Sequence, residues 1–570
     1  MKKLTFALFL LTIAQTALAQ FTVAGHIAVF DSLTGNWLAT LPEAQFGKDC
    51  RLQLKLDEGW KHLVIGGDTI ADAYTFINVS ADSLYTTTVI DTLGQTTTGS
   101  LQFTFLPIVR LSGQFGYDDR IGSVTIADPA ATEDTLLQAT IRWRGGSTNG
   151  PNKHKRNYKL KFDNDVRLFG MRNDNNWILD AGQPDVFRLR NRIAMDIWNS
   201  MATPPYYADK EPKARNGVSG IIAEVFLNNE YRGFYNLSEN MDRKQMKVKK
   251  VDKNTGEIRG CLYKGVSWNN TRMFAPIDSY DNSKETLVGY EVKYPDLQDS
   301  DTTDWAPLVT ANNFANFSTD QEFQEQVDSY FDMPVVMDYN IFYNVVNAVD
   351  NAGKNTYWAV YDKTKSARLT PAPWDLDATF GQRWGGLLEK VDDEGLCTSP
   401  DYRLDLELMV TYRHFRDNFN DYIGKMNTRY HQLRQPGQPL HTDSLVAVLD
   451  HYYKMVKNSG AAAREQKKWS GDSDIWGDSI DFDSEYASIR EWIRQRMDFI
   501  DVTELPLFYK QSYFDELNVN SPLAIGRPTD KAIHDLSGRL VTTRTTTGLK
   551  PGLYIRDGRK IIIRRYTYSH

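Results

Sequence analysis

The stretch F331-DMPVVMDYNIFYNVVNAVDNAGKNTYWAVYDKTKSARLTPAPWDLDATF-G381 decides how the rest of the chain is read. Asp332 followed by Pro334 is a helix-start pattern. Val335, Tyr339, Phe342, Val346 and Val349 then recur at helical spacing, which predicts a helix delivering Asp350 at its C-terminal end. A carboxylate there opposes the helix dipole, so a use for it is expected. Asn355 follows five residues later, then two strand-like runs, TYWAVYD and RLTPAPWD, and then Asp375 and Asp377 ahead of Phe380-Gly381. Asp, Asn, a hairpin and a further Asp near Phe-Gly is the order that phosphoryl transfer from a nucleotide needs. One Asp orients the nucleophile, and the Asn and second Asp hold the cations that bridge the phosphates. On spacing alone, a calcium-binding or turn-stabilising Asp cluster fits the same residues.

Upstream, Thr140–Arg144 and NYKLKF (157–162) read as paired strands joined by GGSTNGPNKHKR. A glycine-rich turn with free N–H groups could cradle phosphates. Lys159 and Lys161 would then share one strand face, with Tyr158, Leu160 and Phe162 on the other. A plain surface hairpin with solvated lysines fits the same residues. NNWILDAGQPDVFRLRNRIAMDIWNSM predicts a helix with Asp185 near its start and Arg190 and Asn191 in its body. GIIAEVFLNNEYRGFYNLSE predicts a hairpin turning at Asn228-Asn229, with Glu239 at the strand exit.

Farther out, residues 20–108 are strand-like runs punctuated by Gly, Asp and Asn, which predicts a small β-rich domain. MKKLTFALFLLTIAQTALA (1–19) has two lysines, a short apolar stretch and Ala-Leu-Ala before Gln20, the pattern of a cleaved signal peptide. No later run is apolar and long enough to span a bilayer, so an exported chain without a transmembrane segment is expected, in the periplasm, at the cell surface or outside the cell. The whole chain has 570 residues, 41% hydrophobic, and a formal charge of −7, which excludes a broadly basic nucleic-acid binder and a self-repelling disordered chain. Cys50, Cys261 and Cys397 show no CxxC spacing, so no zinc ribbon or disulfide scaffold is implied.

Six blocks in order, RWRGGSTNGPNKHKRNYKLKF, NNWILDAGQPDVFRLRNRIAMDI, EVFLNNEYRGFYNLSENMDR, YEVKYPD, VDNAGKNTYWAVYD and PAPWDLDATFG, resemble the CotH kinase family of atypical protein kinases; SEYASIREWIRQRMDFID resembles its closing helix. The resemblance covers residues 109–505. It implies an α+β chain whose two-lobed, kinase-like domain is flanked by small all-β domains, and Mg²⁺- or Mn²⁺-dependent transfer of the ATP γ-phosphate to protein Ser or Thr. It further implies Asp350 as the catalytic Asp and Asn355, Asp375 and Asp377 as metal-binding residues. Lys159, with Lys161 second, would pair with the phosphates; Arg144 and Glu239 would lie near the nucleotide. Asp350 is not preceded by His-Arg and no GxGxxG is present, so the likeness is to the atypical family. Residues 518–570, with DLSGR, GLYI and RKIII, resemble the C-terminal sorting domains of Bacteroidetes type IX-secreted proteins, which implies secretion machinery as a partner. An ATP-poor destination leaves two alternatives to protein phosphorylation: a catalytically degenerate surface protein with a structural or glycan-binding role, and nucleotidyl transfer such as adenylylation.

Overall fold

The computed structural model describes residues 21–267, 270–382 and 408–503, with four short strands between 533 and 563. The chain is a mixture of α and β structure. The segment 1–19, Cys397 and most of the tail lie outside the described residues.

Residues 21–104 form two sheets, one of four strands and one of six. Alternating side chains such as Leu52 and Leu54 on Cys50–Leu56 meet Trp37, Phe76, Val89 and Phe103 in a core of their own. A smaller cluster of Val29, Leu38, Ile108, Ala127, Phe226 and Tyr231 joins this unit to the next.

Seven strands then close into a barrel: Ile108–Ser112, Arg120–Ala127, Thr135–Arg144, Asn157–Arg167, Asn173–Asp180, Glu230–Glu239 and Gly220–Leu227. Neighbours are antiparallel except at the closure, where Ile108–Ser112 runs parallel to Gly220–Leu227. The two-residue period of a strand sends Tyr158, Leu160, Trp177, Leu179, Tyr235 and Leu237 into the barrel, as expected of Tyr158 and Leu160. The intervening Ile178 and Phe234 point outward, into a second and larger core. The expected turn at Asn228-Asn229 forms with both residues at positive φ (49° and 64°), the geometry that matches strand twist in a two-residue hairpin.

The second core is built from a five-stranded sheet and the helices around it. The sheet contains Tyr290–Tyr294, Cys261–Gly265, Thr356–Asp362 and Ser366–Pro373, the last two being the expected hairpin. Met333–Val345 is the central helix, buried on every side except at Pro334, so periodicity alone could not define its face. Asp332 stands at its N-cap position but makes no cap bond. Its carboxylate accepts instead from the Tyr206 N–H (2.9 Å) and Thr370 Oγ1 (3.0 Å), and burial pushes its pKa up to about 6.

The helix also ends earlier than expected. It stops at Val345, and Asn347 turns the chain at φ 52°. Asp350 therefore lies in a loop five residues beyond the helix, and the dipole argument for it does not apply. Burial likewise settles the chemistry of Cys261, whose thiol is pushed up to about 12. Cys50 and Cys261 are both free. The tail strands Leu540–Thr542, Ile533–Asp535, Gly552–Arg556 and Arg559–Ile563 pair in that order. Among the described residues no helix is long and apolar enough to cross a membrane.

Candidate active site

Between the barrel and the five-stranded sheet lies a cavity of about 1200 Å³. One wall is the outer face of the barrel. Arg142 and Arg144 alternate with Trp143 on Thr135–Arg144, and cross-strand register sets Arg144 opposite Asn157 and Asp180 opposite Asn236. The facing wall comes from the sheet, where Lys264 stands opposite Glu291, and Glu291 pairs with Lys293. The floor is two loops, 346–355 and 374–382, which carry Asp350, Lys354, Asn355, Trp374, Asp375 and Asp377.

Hydrogen bonds tie those loops to each other and to the sheet. Phe380 donates its N–H to the Val346 carbonyl (2.8 Å), Asn351 Nδ2 donates to the Trp374 carbonyl (2.8 Å), and the Asn355 N–H reaches the Gly265 carbonyl (2.9 Å). Gly353 is required here, since it sits at φ 92° and a Cβ would lie 2.6 Å from the Thr271 carbonyl oxygen. Asn355 and Asp375 are themselves left-handed, at φ 56° and 59°. Such conformations cost of order 1–3 kcal/mol each and cluster where the surroundings hold a site in place.

Asp350 is 8% exposed and tightly held. Lys354 Nζ donates to both carboxylate oxygens (2.9 and 2.8 Å), and Asn355 Nδ2 donates to Oδ2 (2.9 Å). The Asn355 amide nitrogen is thereby committed to Asp350, and its oxygen is the atom left for a cation. Asn191 bridges the barrel to the floor: its Nδ2 donates to Asp180 Oδ2 (2.7 Å) and its Oδ1 accepts from the Leu376 N–H (3.0 Å). Asp180 is also capped by the Gly182 N–H (3.1 Å).

The electrostatics are those of crowded like charges. Burial, together with Asp375, Asp350, Asp180 and Asp185, pushes the Asp377 carboxyl well above the usual carboxylate range, although the residue is open to the cavity. Burial also raises Asp180; the Gly182 and Asn191 bonds oppose it and Asp375 adds to it. Lys264 is pulled down by burial, with Asp375 working against that and Lys293 and Arg144 reinforcing it. Aromatic faces complete the mouth: Tyr117, Trp143, Trp374 and Trp476 line it, and the Arg144 guanidinium lies 5.6 Å from the Trp374 ring centroid.

Of the residues singled out in the sequence, Asp350, Asn355, Asp375, Asp377 and Arg144 share this cavity. The two lysines do not form its wall. Lys159 is half-buried in the cross-strand row between Arg142 and Ile178, both of which line the cavity, and burial followed by Arg142 lowers its pKa. Lys161 lies two residues farther along and is exposed. Glu239 belongs elsewhere. Its carboxylate accepts from the Arg172 N–H (2.8 Å), the Ser219 N–H (2.9 Å) and Gln245 Nε2 (3.0 Å), a set that ties three chain segments together and leaves it no part in the cavity. The sequence reading missed Lys354, Asp180, Asn191 and Lys264. Only Lys354 carried a local signal, being adjacent to Asn355 and four residues from Asp350.

The donor set suits a hard divalent cation, because Asp375, Asp377 and the Asn355 amide all offer oxygen. The cavity carboxylates do not converge as a closed protein cage. The trio of acidic or histidine side chains among the described residues whose ligand atoms all lie within 4.8 Å is instead His154, Asp472 and Asp474. That spread is what Mg²⁺ sites show when phosphate oxygens and waters complete the shell.

The CotH kinase protein family matches residues 141–500, well over half of the chain, and the chain belongs to that kinase-like family. No curated protein matches it.

Proposed function

We propose that the chain is an exported, ATP-dependent protein kinase with a two-lobed arrangement, the barrel forming one lobe and the sheet with its helices the other. The observation that carries the reading is the meeting of Arg144, Asp350, Asn355, Asp375 and Asp377 around one cavity, from positions up to 233 residues apart in sequence. Asp350 accepts the proton of, or orients, the attacking Ser or Thr hydroxyl. Lys354, bonded to Asp350, supplies positive charge beside the transferring group. Arg142, Arg144 and Lys264 flank the place where phosphates would lie, and the aromatic mouth offers faces for a base. Asp375, Asp377 and Asn355 would hold Mg²⁺ or Mn²⁺, which would supply positive charge to offset that of the nucleotide's phosphates. The raised Asp377 carboxyl supports that assignment, since a cation offsets both the burial and the neighbouring carboxylates that raise it.

The 1–19 segment and the 518–570 tail support export followed by sorting through a secretion system, with envelope or co-secreted proteins as substrates. Incubation of the purified full chain with Mn²⁺ and γ- or α-labelled ATP tests the activity. Transfer of the γ label to protein supports phosphorylation, and transfer of the α label means nucleotidyl transfer. Transfer of neither would leave a catalytically degenerate surface protein.

A further inference from the structure

The glycine-rich segment between the strands Thr135–Arg144 and Asn157–Arg167 packs against a turn near the far end of the chain. The contact is a cluster of one histidine and two aspartates. Asp472 Oδ1 accepts from the Asp474 N–H (2.7 Å), and Asp472 Oδ2 lies 2.9 Å from His154 Nδ1. Asp474 Oδ2 accepts the N–H groups of both His154 and Lys155 (2.8 Å each). None of the three residues lines the cavity, although their neighbours Lys153 and Trp476 do.

The cluster has an unexplained atom. Asp474 is 2% exposed, and its Oδ1 is buried without a hydrogen-bond partner. The Lys153 ammonium, 3.9 Å away, is too far to donate. A buried carboxylate oxygen without a donor bears its full desolvation cost, so such an atom calls for an explanation. One ligand atom from each of His154, Asp472 and Asp474 can be chosen so that all lie within 4.8 Å of one another. Bond lengths of roughly 2.0–2.2 Å in a tetrahedral shell separate ligand atoms by about 3.3–3.6 Å, so a cation would draw this cluster, now within 4.8 Å, inward.

We propose that His154, Asp472 and Asp474 bind a transition-metal dication of the Zn²⁺ class, which clamps the glycine-rich segment to the 472–476 turn. An imidazole nitrogen with two carboxylates selects Zn²⁺ and its neighbours over Mg²⁺, which prefers an all-oxygen octahedron. Three protein ligands leave one position for water. The site differs from the cavity in chemistry as well as place, since among the described residues no histidine lines the cavity. A dication at Asp474 Oδ1 would also repel the Lys153 ammonium toward the cavity that it lines. Metal occupancy is therefore linked to charge at the mouth.

The test is calorimetric titration of Zn²⁺ into the chelator-stripped full chain, in excess Mg²⁺ so that hard oxygen sites are filled. His154→Ala, Asp472→Asn and Asp377→Asn variants are titrated beside it. One Zn²⁺ per wild-type chain is expected. His154→Ala and Asp472→Asn should each weaken it by more than the roughly 10–100-fold that losing an outer hydrogen-bond partner of a ligand costs. Asp377→Asn should bind as wild type does. Zn²⁺ should raise the melting temperature of wild type and Asp377→Asn only. Absence of Zn²⁺ binding to wild type, undiminished binding in His154→Ala, or loss in Asp377→Asn would each overturn the proposal. If Asp472→Asn does not fold, His154→Ala decides alone, because its imidazole is largely exposed and the Asp474 contacts are to backbone.

Discussion

Two regions of this molecule bury charge, and they do it in opposite ways. In the seam between the barrel and the C-terminal helices, Glu465, Glu224 and Asp185 each have a cation bonded to them. Glu465 Oε1 accepts from Lys155 Nζ (2.7 Å) and Arg188 Nε (2.8 Å), while its Oε2 takes the Phe234 N–H (3.1 Å). Gly233 makes room for it, since a Cβ there would lie 2.0 Å from Glu465 Oε2. Beside it Arg464 bonds Glu224 through Nε (2.8 Å), and Arg190 joins Asp185 (2.6 Å) to Glu485 (2.8 Å). In the cavity, by contrast, Asp180, Asp375 and Asp377 crowd together, while lysines are bonded to Asp350 on the floor and to Glu291 on the facing wall. Paired buried charge fixes an architecture at little net gain, because desolvation offsets the attraction. Crowded like charge raises the energy of the empty site and is useful only if something positive binds there.

The sharpest way to break that contrast is catalytic. Asp350→Asn keeps the shape of the loop and removes the proton acceptor, so kcat should fall by roughly 10²–10⁴-fold while metal–nucleotide binding survives. Asp375→Ala should abolish transfer and weaken metal-dependent nucleotide binding as well. Single-turnover phosphorylation with parallel titration of Mn²⁺–ATP separates the two. Equal nucleotide affinity in both variants would show that the roles are wrongly divided.

Next in size is the seam. Glu465→Gln leaves Lys155 and Arg188 as uncompensated buried cations, and breaking a buried pair in this way costs about 3–5 kcal/mol. The Lys155 amine is already pulled down to about 7 by burial, with Glu465 holding it up and Arg188 pressing it down. Loss of Glu465 should lower it further, which accommodates part of the cost by deprotonation. Urea unfolding reads the loss directly. A change below 1 kcal/mol would mean that the seam is not the brace its geometry describes.

The cavity should respond with the opposite sign. Asp377 has a folded-state pKa raised above its unfolded value, so the native chain binds more protons than the unfolded chain between the ordinary carboxylate range and the raised value. Its contribution therefore falls as pH rises through that window. Asp377→Asn should remove this fall and stabilise the metal-free protein at neutral pH, within the roughly 0.5–2 kcal/mol that charge optimisation commonly gives. Saturating Mn²⁺ should reverse the ranking, because only wild type then gains the ligand. Melts across pH, with and without metal, give the difference between the two proteins, which cancels other raised groups such as Asp332.

What was legible in the sequence follows the range of the interactions. The hairpin Thr356–Asp362 to Ser366–Pro373 and the Asn228-Asn229 turn rest on neighbours in the chain, and their residues announce them. The Asp350 and Asn355 pair was visible for the same reason, being joined by a bond over five residues. Barrel closure was not, because Ile108–Ser112 pairs with Gly220–Leu227 across more than a hundred residues. Nor was the Asp180–Asn191–Leu376 bridge, in which an unremarkable helix asparagine spans 185 residues to reach the floor. Glu239 misled because a carboxylate at a strand exit carries no mark of whether three donors already surround it. The early end of the central helix was hidden by the buried residues on its far side, which continue the apolar pattern past Val345.

The smallest expected effect concerns the lysines and sharpens the contrast at its edge. On strand spacing alone Lys159 and Lys161 were equivalent, since both fall on the outward face of Asn157–Arg167. Register separates them. Lys159 stands in line with Arg142 and Ile178 at the cavity wall, whereas Lys161 pairs with Thr140 and Asn176 on open surface. Lys264, on the facing sheet, lines the cavity itself, and the Asp375 charge favours its ammonium form against the effect of burial. A phosphate in the cavity should thus feel Lys264 most, Lys159 less and Lys161 hardly at all, because exposed charges are screened within about 8–10 Å. Nucleotide affinity should fall in that order for the three alanine variants. Lys161→Ala should change stability by no more than about 0.5 kcal/mol, as is usual on open surface. A loss of affinity in Lys161→Ala equal to that in Lys264→Ala would mean that the nucleotide reaches beyond this cavity onto the barrel's outer face, and the boundary between its crowded and its solvated charges would have to be redrawn there.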